Sequence, residues 1–157
     1  MKDGHVIGEG WHVRPGEPHA EINAIRSLQR ESDAKGSTIY VTLEPCSSWG
    51  RTPPCCDALI RCGFSRVVIG SIDPNPHHQG RGIDLLRSHG MEVVSGVEKD
   101  ACDKLNRSFF KWIQTRRPYV LLKLAETLDG KIACENGASQ WITSEKARQR
   151  VQHLRRL

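Results

Sequence analysis

Apolar positions in the first 115 residues follow a period of two in some segments and of three to four in others, which predicts alternating strands and helices. Residues 38–43 are rich in β-branched side chains, whereas Ile22, Ile25 and Leu28 fall on one side of a helix. The predicted strands cover residues 5–13, 38–43, 66–70 and 91–94, and the predicted helices cover 19–30, 53–62, 83–90 and about 105–114. Repeated strand–helix units of this length predict an α/β sheet with helices on its faces.

A second, shorter region is predicted after Arg116-Arg117-Pro118. Residues 119–125 read as a strand, Asp129-Gly130 as a turn, and residues from Ser144 onward as a helix. Some forty residues are too few for an independent domain without disulfides or metals. The pattern therefore predicts a domain over residues 1–115 and the beginning of another over 116–157.

The two-residue turn signal Asp3-Gly4 predicts a hairpin, because Asp-Gly favours the turn types that join antiparallel strands. A strand follows it in the pattern, but only Met1 and Lys2 precede it. Together with the short second region, this unmatched turn leads to the expectation that the chain is truncated at both ends.

Composition adds only broad limits. Hydrophobic residues make up 38% and charged residues 26%, which is usual for a globular protein, and no apolar run approaches the roughly 18 residues of a membrane span. The N-terminus lacks the apolar core of a signal peptide, so a cytoplasmic location is predicted. In that setting the six cysteines are read as reduced thiols or metal ligands rather than disulfides.

The net charge of +5 is unevenly distributed. Residues 1–103 hold 11 basic and 14 acidic side chains, whereas residues 104–157 hold 12 basic and 4 acidic ones. A nucleic-acid partner would favour basic and aromatic side chains around the site. Residues 1–103 are slightly acidic, and the basic residues of 104–157 are read as a solvated helix face.

One set of residues carries a metal-site pattern. His19-Ala20-Glu21 is followed by Pro45-Cys46 and, eight residues later, by Cys55. One imidazole and two thiolates can bind Zn²⁺ and leave a position open for water, and a nearby carboxylate can carry protons, which is the pattern of zinc-dependent base deaminases. Cys56 is an alternative ligand to Cys55, and Glu44 is predicted to brace a turn. The other histidines are read as surface or core residues: His5, His12, His77, His78, His89 and His153.

Ordered motifs along nearly the whole chain resemble the bifunctional riboflavin-biosynthesis deaminase/reductase family. They are His19-Ala20-Glu21, Thr42 to Ser47, Gly50 to Cys55, Asp73-Pro74-Asn75-Pro76, Gly80-Arg81-Gly82, Leu105-Asn106, Arg117 to Val120, Leu128 to Lys131 and Ser139 to Thr143. The resemblance implies a three-layer, cytidine-deaminase-like α/β sheet that lacks its first helix and strand, followed by the start of a dihydrofolate-reductase-like domain. It also implies that zinc-dependent hydrolysis removes an amine, as ammonia, from a diaminopyrimidinone carrying a ribosylamino 5′-phosphate. An NADPH-dependent reduction of the ribose follows.

The resemblance assigns roles by motif. His19, Cys46 and Cys55 would bind zinc, and Glu21 would be the proton shuttle. The substrate contacts it implies are Arg51, Asp73, Asn75, Ser139 and Arg155, and the cofactor contacts are Ala125 and Trp141. Ser48 stands where many members have histidine, which would remove one substrate contact.

Two other functions stay open at this point. One is a deaminase of cytidine nucleotides or of bases in nucleic acid, and the eight-residue spacing of the cysteines disfavours it. The other is a fragment that binds zinc and catalyses nothing. The expected partner is a small phosphorylated pyrimidine, with no nucleic acid and no membrane, and a homo-oligomer could cover the apolar surface of an incomplete sheet.

Overall fold

A computed structural model describes residues 1–155 of the chain. It divides into a unit comprising Met1–Tyr119 and a second unit that begins at Val120. The elements are α1 (Ala20–Arg26), a 3₁₀ turn (Glu31–Ala34), β1 (Thr38–Leu43), α2 (Cys55–Cys62), β2 (Arg66–Ser71), α3 (Arg81–Ser88), β3 (Glu92–Ser95), α4 (Lys99–Leu105), α5 (Arg107–Thr115) and α6 (Glu145–Leu154). The described helices are all too short or too polar to span a membrane.

The first unit is built on a parallel sheet in the order β1-β2-β3. Val41 lies opposite Ile69, and Val67 opposite Val93. Every residue of β2 after Arg66 is buried, as expected for a central parallel strand with helices over both faces. The parallel order also brings the carboxyl ends of β1 and β2 to one edge, which is where such sheets place their ligands.

The main core lies between one face of the sheet and helices α1, α2 and α3. Its members include Ile25, Ile39, Leu59, Val67, Ile69, Leu86 and Val93. On the opposite face, Gly70 meets Cys102 of α4 so closely that a Cβ at position 70 would collide with the Cys102 sulfur. Helices therefore cover both faces, and the predicted three-layer α/β class is confirmed.

Several predicted elements are confirmed with their boundaries nearly unchanged. Strand β1 covers the predicted residues, and β2 extends the predicted strand by one residue, Ser71. Helix α2 begins directly after Pro53-Pro54 and ends at Gly63, whose φ of 73° suits glycine at a helix C-terminus. The Asp3-Gly4 turn is also confirmed, since the backbones of Lys2 and His5 exchange two hydrogen bonds of 2.9 Å across it.

Other predictions for this unit are wrong. Residues 6–13 form no strand, because no neighbouring strand in the described part of the chain supplies hydrogen-bond partners. They run along α1, which Gly8 and Gly10 approach closely at Ala24. The predicted helix over 19–30 ends at Arg26 and gives way to the 3₁₀ turn.

The helix predicted over about 105–114 is present as α5, which begins two residues later at Arg107, and the sequence pattern missed a separate helix before it, α4. Leu105, just before α5, and Trp112 within it are 69% and 49% exposed. The apolar periodicity of residues 105–114 therefore predicts the helix, although these two apolar side chains remain largely exposed in the first unit.

The second unit has little regular structure before α6. The strand predicted over residues 119–125 is absent, since no partner strand lies beside it in the described chain. The predicted turn is present, because the Gly130 N–H donates to the Thr127 carbonyl at 2.9 Å. Helix α6 is also confirmed, and the Ser144 hydroxyl caps it by accepting from the Ala147 N–H at 3.3 Å.

Candidate metal centre

Three side chains from separate parts of the first unit converge at the carboxyl end of β1. The Nδ1 atom of His19 lies 3.5 Å from Sγ of Cys46 and 3.3 Å from Sγ of Cys55. The three donor atoms lie within 4.8 Å of one another. These are the residues in which the sequence predicted a metal site.

Backbone elements hold each donor in place. His19 is the residue immediately before α1, Cys46 follows β1, and Cys55 is the first residue of α2. The Cys55 N–H donates to Sγ of Cys46 at 3.2 Å, so the start of α2 stabilises negative charge on that sulfur. The predicted placement at helix entrances is confirmed for His19 and Cys55.

The donor set fits zinc. Tetrahedral coordination, with Zn–S near 2.3 Å and Zn–N near 2.05 Å, places a nitrogen and a sulfur ligand about 3.6 Å apart. The two distances from His19 Nδ1, 3.5 Å and 3.3 Å, are close to that value. Among the described residues these three form the one cluster of candidate metal ligands, and three protein ligands leave a position free for water.

The neighbouring thiols of Cys46 and Cys55 shift each other's pKa in opposite directions. A hydrogen bond from the Cys55 side chain lowers the pKa of Cys46 to about 5. The same hydrogen bond, together with burial, raises the pKa of Cys55. The pair therefore already holds one thiolate at neutral pH, and a bound cation would draw off the second proton.

Cys56, the alternative ligand, lies outside the cluster. Its sulfur is buried and donates to the carbonyl of Pro45 at 3.4 Å, and burial raises its pKa to about 12. The fully buried Cys56 side chain belongs to the hydrophobic core. The structure thus brings Cys55, not its neighbour, to His19.

Glu21 is the buried carboxyl group beside the cluster. It is the second residue of α1, is 8% exposed, and its side chain hydrogen-bonds Cys55. Burial raises the pKa of Glu21, because the charged form loses its hydration. A buried carboxyl group beside a cluster of metal-ligand side chains is suited to accept and release protons during a reaction.

Glu44 joins two loops. One is the loop of residues 44–54 between β1 and α2, which carries Cys46 and is called the metal loop here, and the other is the loop that follows β2. Its buried carboxylate accepts from four backbone N–H groups, those of Asp73 at 3.2 Å, Gly80 at 3.0 Å, Gly82 at 2.9 Å and Ile83 at 3.4 Å. Three of these belong to the start of α3, whose N–H groups have no partner within the helix. The prediction that Glu44 braces a turn is confirmed.

Asp73 and Asn75 lie in the braced loop. Oδ1 of Asp73 accepts from the Asn75 N–H at 2.8 Å, and Oδ1 of Asn75 accepts from the His77 N–H at 3.1 Å. Both side chains thus shape the loop and are half-buried. Arg51 is an exposed residue of the loop between the two cysteines.

The residues predicted on the reductase side all lie in the second unit. Ala125 is half-buried, Ser139 is exposed, and Arg155 follows the end of α6. Trp141 is 69% exposed, and the Arg148 guanidinium lies 4.1 Å from its ring centre. None of these four predicted residues is among those that line a cavity of about 340 Å³ in the second unit.

Sequence reasoning missed two residues around His19. The His12 ring packs edge-on against His19 with ring centres 5.2 Å apart. Nδ2 of Asn23 donates to the carbonyls of Trp11 at 2.8 Å and Pro18 at 3.3 Å, holding the preceding segment against α1. Asn23 is four residues after His19, and this spacing on one side of a helix was the available signal.

Comparisons with known proteins agree with this geometry. Residues 1–71 match the family described as the cytidine and deoxycytidylate deaminase zinc-binding region, and residues 118–157 match the RibD C-terminal domain. The chain is 49% identical over 113 residues to the diaminohydroxyphosphoribosylamino-pyrimidine deaminase of Buchnera aphidicola subsp. Schizaphis graminum, covering 72% of this chain and 76% of that protein. The chain belongs to the RibD family of riboflavin-biosynthesis proteins.

Longer members of the family match almost all of this chain. It is 55% identical over 155 residues to the riboflavin biosynthesis protein RibD of Actinobacillus pleuropneumoniae, covering 99% of this chain and 41% of that protein. A Thermotoga maritima crystal structure of a diaminohydroxyphosphoribosylaminopyrimidine deaminase/5-amino-6-(5-phosphoribosylamino)uracil reductase superposes with a TM-score of 0.90 at 47% identity, covering 99% of this chain and 44% of that one. The chain thus spans about two fifths of the length of these relatives.

Proposed function

We propose that this chain is a zinc-dependent deaminase of the diaminopyrimidinone ribosylamino 5′-phosphate of riboflavin synthesis. The observation that carries the proposal is the convergence of His19, Cys46 and Cys55 beside the buried carboxyl of Glu21. The names of the relatives supply the substrate, and the match of residues 1–71 to a zinc-binding deaminase region supports the metal.

His19, Cys46 and Cys55 would hold the zinc ion, and Glu21 would move the protons. Bound zinc lowers the pKa of a water molecule and makes it a nucleophile near neutral pH. Glu21 would take one proton from the attacking water as its oxygen adds to the amine-bearing ring carbon, give that proton to the adjacent ring nitrogen, and then carry the second proton of the added hydroxyl to the departing amine. The exocyclic C–N bond would then break, so that a carbonyl replaces the amine and ammonia leaves.

The loops at the carboxyl edge of the sheet would hold the substrate. Asp73 and Asn75 would contact the pyrimidine, since Glu44 anchors their loop beside the metal loop. Arg51 would bind an anionic part of the substrate, for which an exposed guanidinium in the loop of Cys46 and Cys55 is suited.

For residues 116–157 we propose the beginning of an NADPH-dependent reductase domain, after a deaminase domain over residues 1–115. Its support is the match of residues 118–157 to the RibD C-terminal domain. Ala125 and Trp141 would contact the cofactor, and Ser139 and Arg155 the substrate. These four assignments rest on sequence motifs.

We further propose that the protein acts in the cytoplasm on a small molecule, with no nucleic-acid or membrane partner. Six free cysteines fit a reducing compartment, and the slight excess of acidic side chains in residues 1–103, which hold the metal cluster, disfavours nucleic acid. A homo-oligomer remains our expectation, because Trp11 and Leu105 are each 69% exposed.

The test compares ammonia release from the riboflavin precursor and from cytidine. The zinc-loaded chain should release ammonia from the precursor only, and Glu21→Gln should lower the rate by about 10²–10⁴-fold without releasing zinc. Glu17→Gln is the control, because the Glu17 carboxylate pairs with Arg14 at 2.7 Å and is not one of the three candidate zinc ligands. Release from cytidine alone, or full activity of Glu21→Gln, would contradict the proposal.

A further inference from the structure

A side-chain contact outside the metal cluster joins the two loops of the site. Oγ of Ser48 and Nδ1 of His78 are 3.2 Å apart. Ser48 is two residues after Cys46, and His78 is three residues after Asn75. The contact therefore connects the loop that carries a candidate metal ligand to the loop that carries the candidate pyrimidine contacts.

The backbone around His78 is held in place on both sides. The His78 N–H donates to the carbonyl of Asn75 at 2.8 Å. Glu44 binds the N–H groups of Asp73 and Gly80, which bracket the loop containing His78. The half-buried imidazole is thus carried by a braced segment rather than by a free loop.

Residues 48–51 of the metal loop have fewer restraints than the segment around His78. Ser48, Trp49 and Arg51 are all exposed, and Trp49 retains 75% of its surface. The one side-chain hydrogen bond recorded for residues 48–51 in the described chain is that between Ser48 and His78. Because Arg51 is three residues after Ser48, this contact restrains the part of the loop that carries Arg51.

We propose that His78 is a substrate-positioning residue that acts through Ser48. Glu44 joins the two loops at their base, and the Ser48–His78 contact joins them at their rim. The two contacts hold Arg51 on the same side of the substrate as Asp73 and Asn75. This inference rests on the proposed deaminase function and adds to it a residue that the sequence motifs do not single out.

The neighbouring histidine supplies a matched control. His77 is exposed and, in the described structure, its recorded hydrogen bond is made by its backbone N–H. Its side chain can be removed without touching the rim contact. His77→Ala and His78→Ala therefore remove the same chemical group one residue apart.

The experiment measures kcat and KM for ammonia release by the zinc-loaded full chain acting on the riboflavin precursor. His78→Ala and Ser48→Ala should each raise KM about three- to tenfold, the effect expected from loss of one partly exposed hydrogen bond, with kcat within about twofold. The double variant should be no worse than either single one. His78→Asn, whose amide can replace Nδ1, should recover most of the loss, and His77→Ala should match the unchanged chain.

Four results would overturn the inference: an unchanged KM in His78→Ala, a loss confined to kcat, additive losses in the double variant, or an equal loss in His77→Ala. Zinc content and circular dichroism of each variant show whether a loss comes from unfolding, and Ser48→Ala, a small change on an exposed loop, keeps the test open if His78→Ala is unstable. An unchanged chain without activity on the precursor would instead overturn the proposed function, and this inference with it.

Discussion

Replacing Glu44 by glutamine should destabilise the first unit strongly, although the two side chains are nearly the same size. One carboxylate oxygen accepts from the N–H groups of Gly82 and Ile83, and the other accepts from those of Asp73 and Gly80. Glutamine keeps one oxygen and places an NH₂ group against the other two donors. Two backbone N–H groups then lose their acceptor next to a side chain that is 5% exposed.

The expected loss in free energy of unfolding follows from the cost of leaving buried N–H donors unpaired, about 1–3 kcal/mol for each group. Two such groups give about 2–6 kcal/mol, with a central value near 4 kcal/mol. For a chain of this length the central loss of about 4 kcal/mol corresponds to a fall in Tm of about 8–16 °C. Urea unfolding followed by circular dichroism measures the free energy of unfolding, and an unchanged m value shows that the same surface is exposed.

Glu92→Gln is the control for the loss of a carboxylate. Glu92 pairs with Arg66 at 3.3 Å, and both side chains are substantially exposed, so the loss should be below about 1 kcal/mol. If Glu44→Gln also costs less than about 1 kcal/mol, the four backbone hydrogen bonds do not contribute as argued and the reasoning is refuted.

Three further predictions concern the metal cluster and the helices packed around it. Cys55→Ser should abolish zinc binding, measured by atomic absorption, whereas Cys56→Ser should retain zinc but lower Tm; equal zinc loss in both would contradict the assignment. In metal-free protein the iodoacetamide labelling rate of Cys46 should rise with pH around a midpoint near 5, because its pKa lies well below that of an ordinary thiol, and a midpoint above 8 would refute this. Gly82→Ala should lower Tm, since its Cβ would collide with the carbonyl oxygen of Pro45; an unchanged Tm would exclude that contact.

Short-range sequence patterns were enough to predict much of the sheet and its helices. The β-branched residues of 38–43 and the limits set for α2 by Pro53-Pro54 and Gly63 act over a few neighbours, and the structure agrees with them. Strands at 5–13 and 119–125 were predicted from equally suitable residues. A strand also needs a partner, and no local pattern states whether one lies beside it.

The candidate site, too, could be predicted only in part from the sequence. The spacing of His19, Cys46 and Cys55 predicted the cluster, because few residue sets offer three zinc donors and an adjacent carboxyl group. The spacing alone left Cys56 as an alternative, since adjacent residues at a helix start differ only in direction; the family resemblance favoured Cys55, and the structure brings Cys55 to His19. His78 could not be found from the sequence, because its contact with Ser48 spans 30 residues and follows no motif.

X-ray absorption at the zinc edge tests the central claim most directly. The purified chain should contain one zinc ion, with two sulfur ligands near 2.3 Å and nitrogen or oxygen ligands near 2.0–2.1 Å, and His19→Ala should remove one of the latter. Four sulfur ligands, or a spectrum unaffected by His19→Ala, would contradict the assignment of His19, Cys46 and Cys55 as the zinc site.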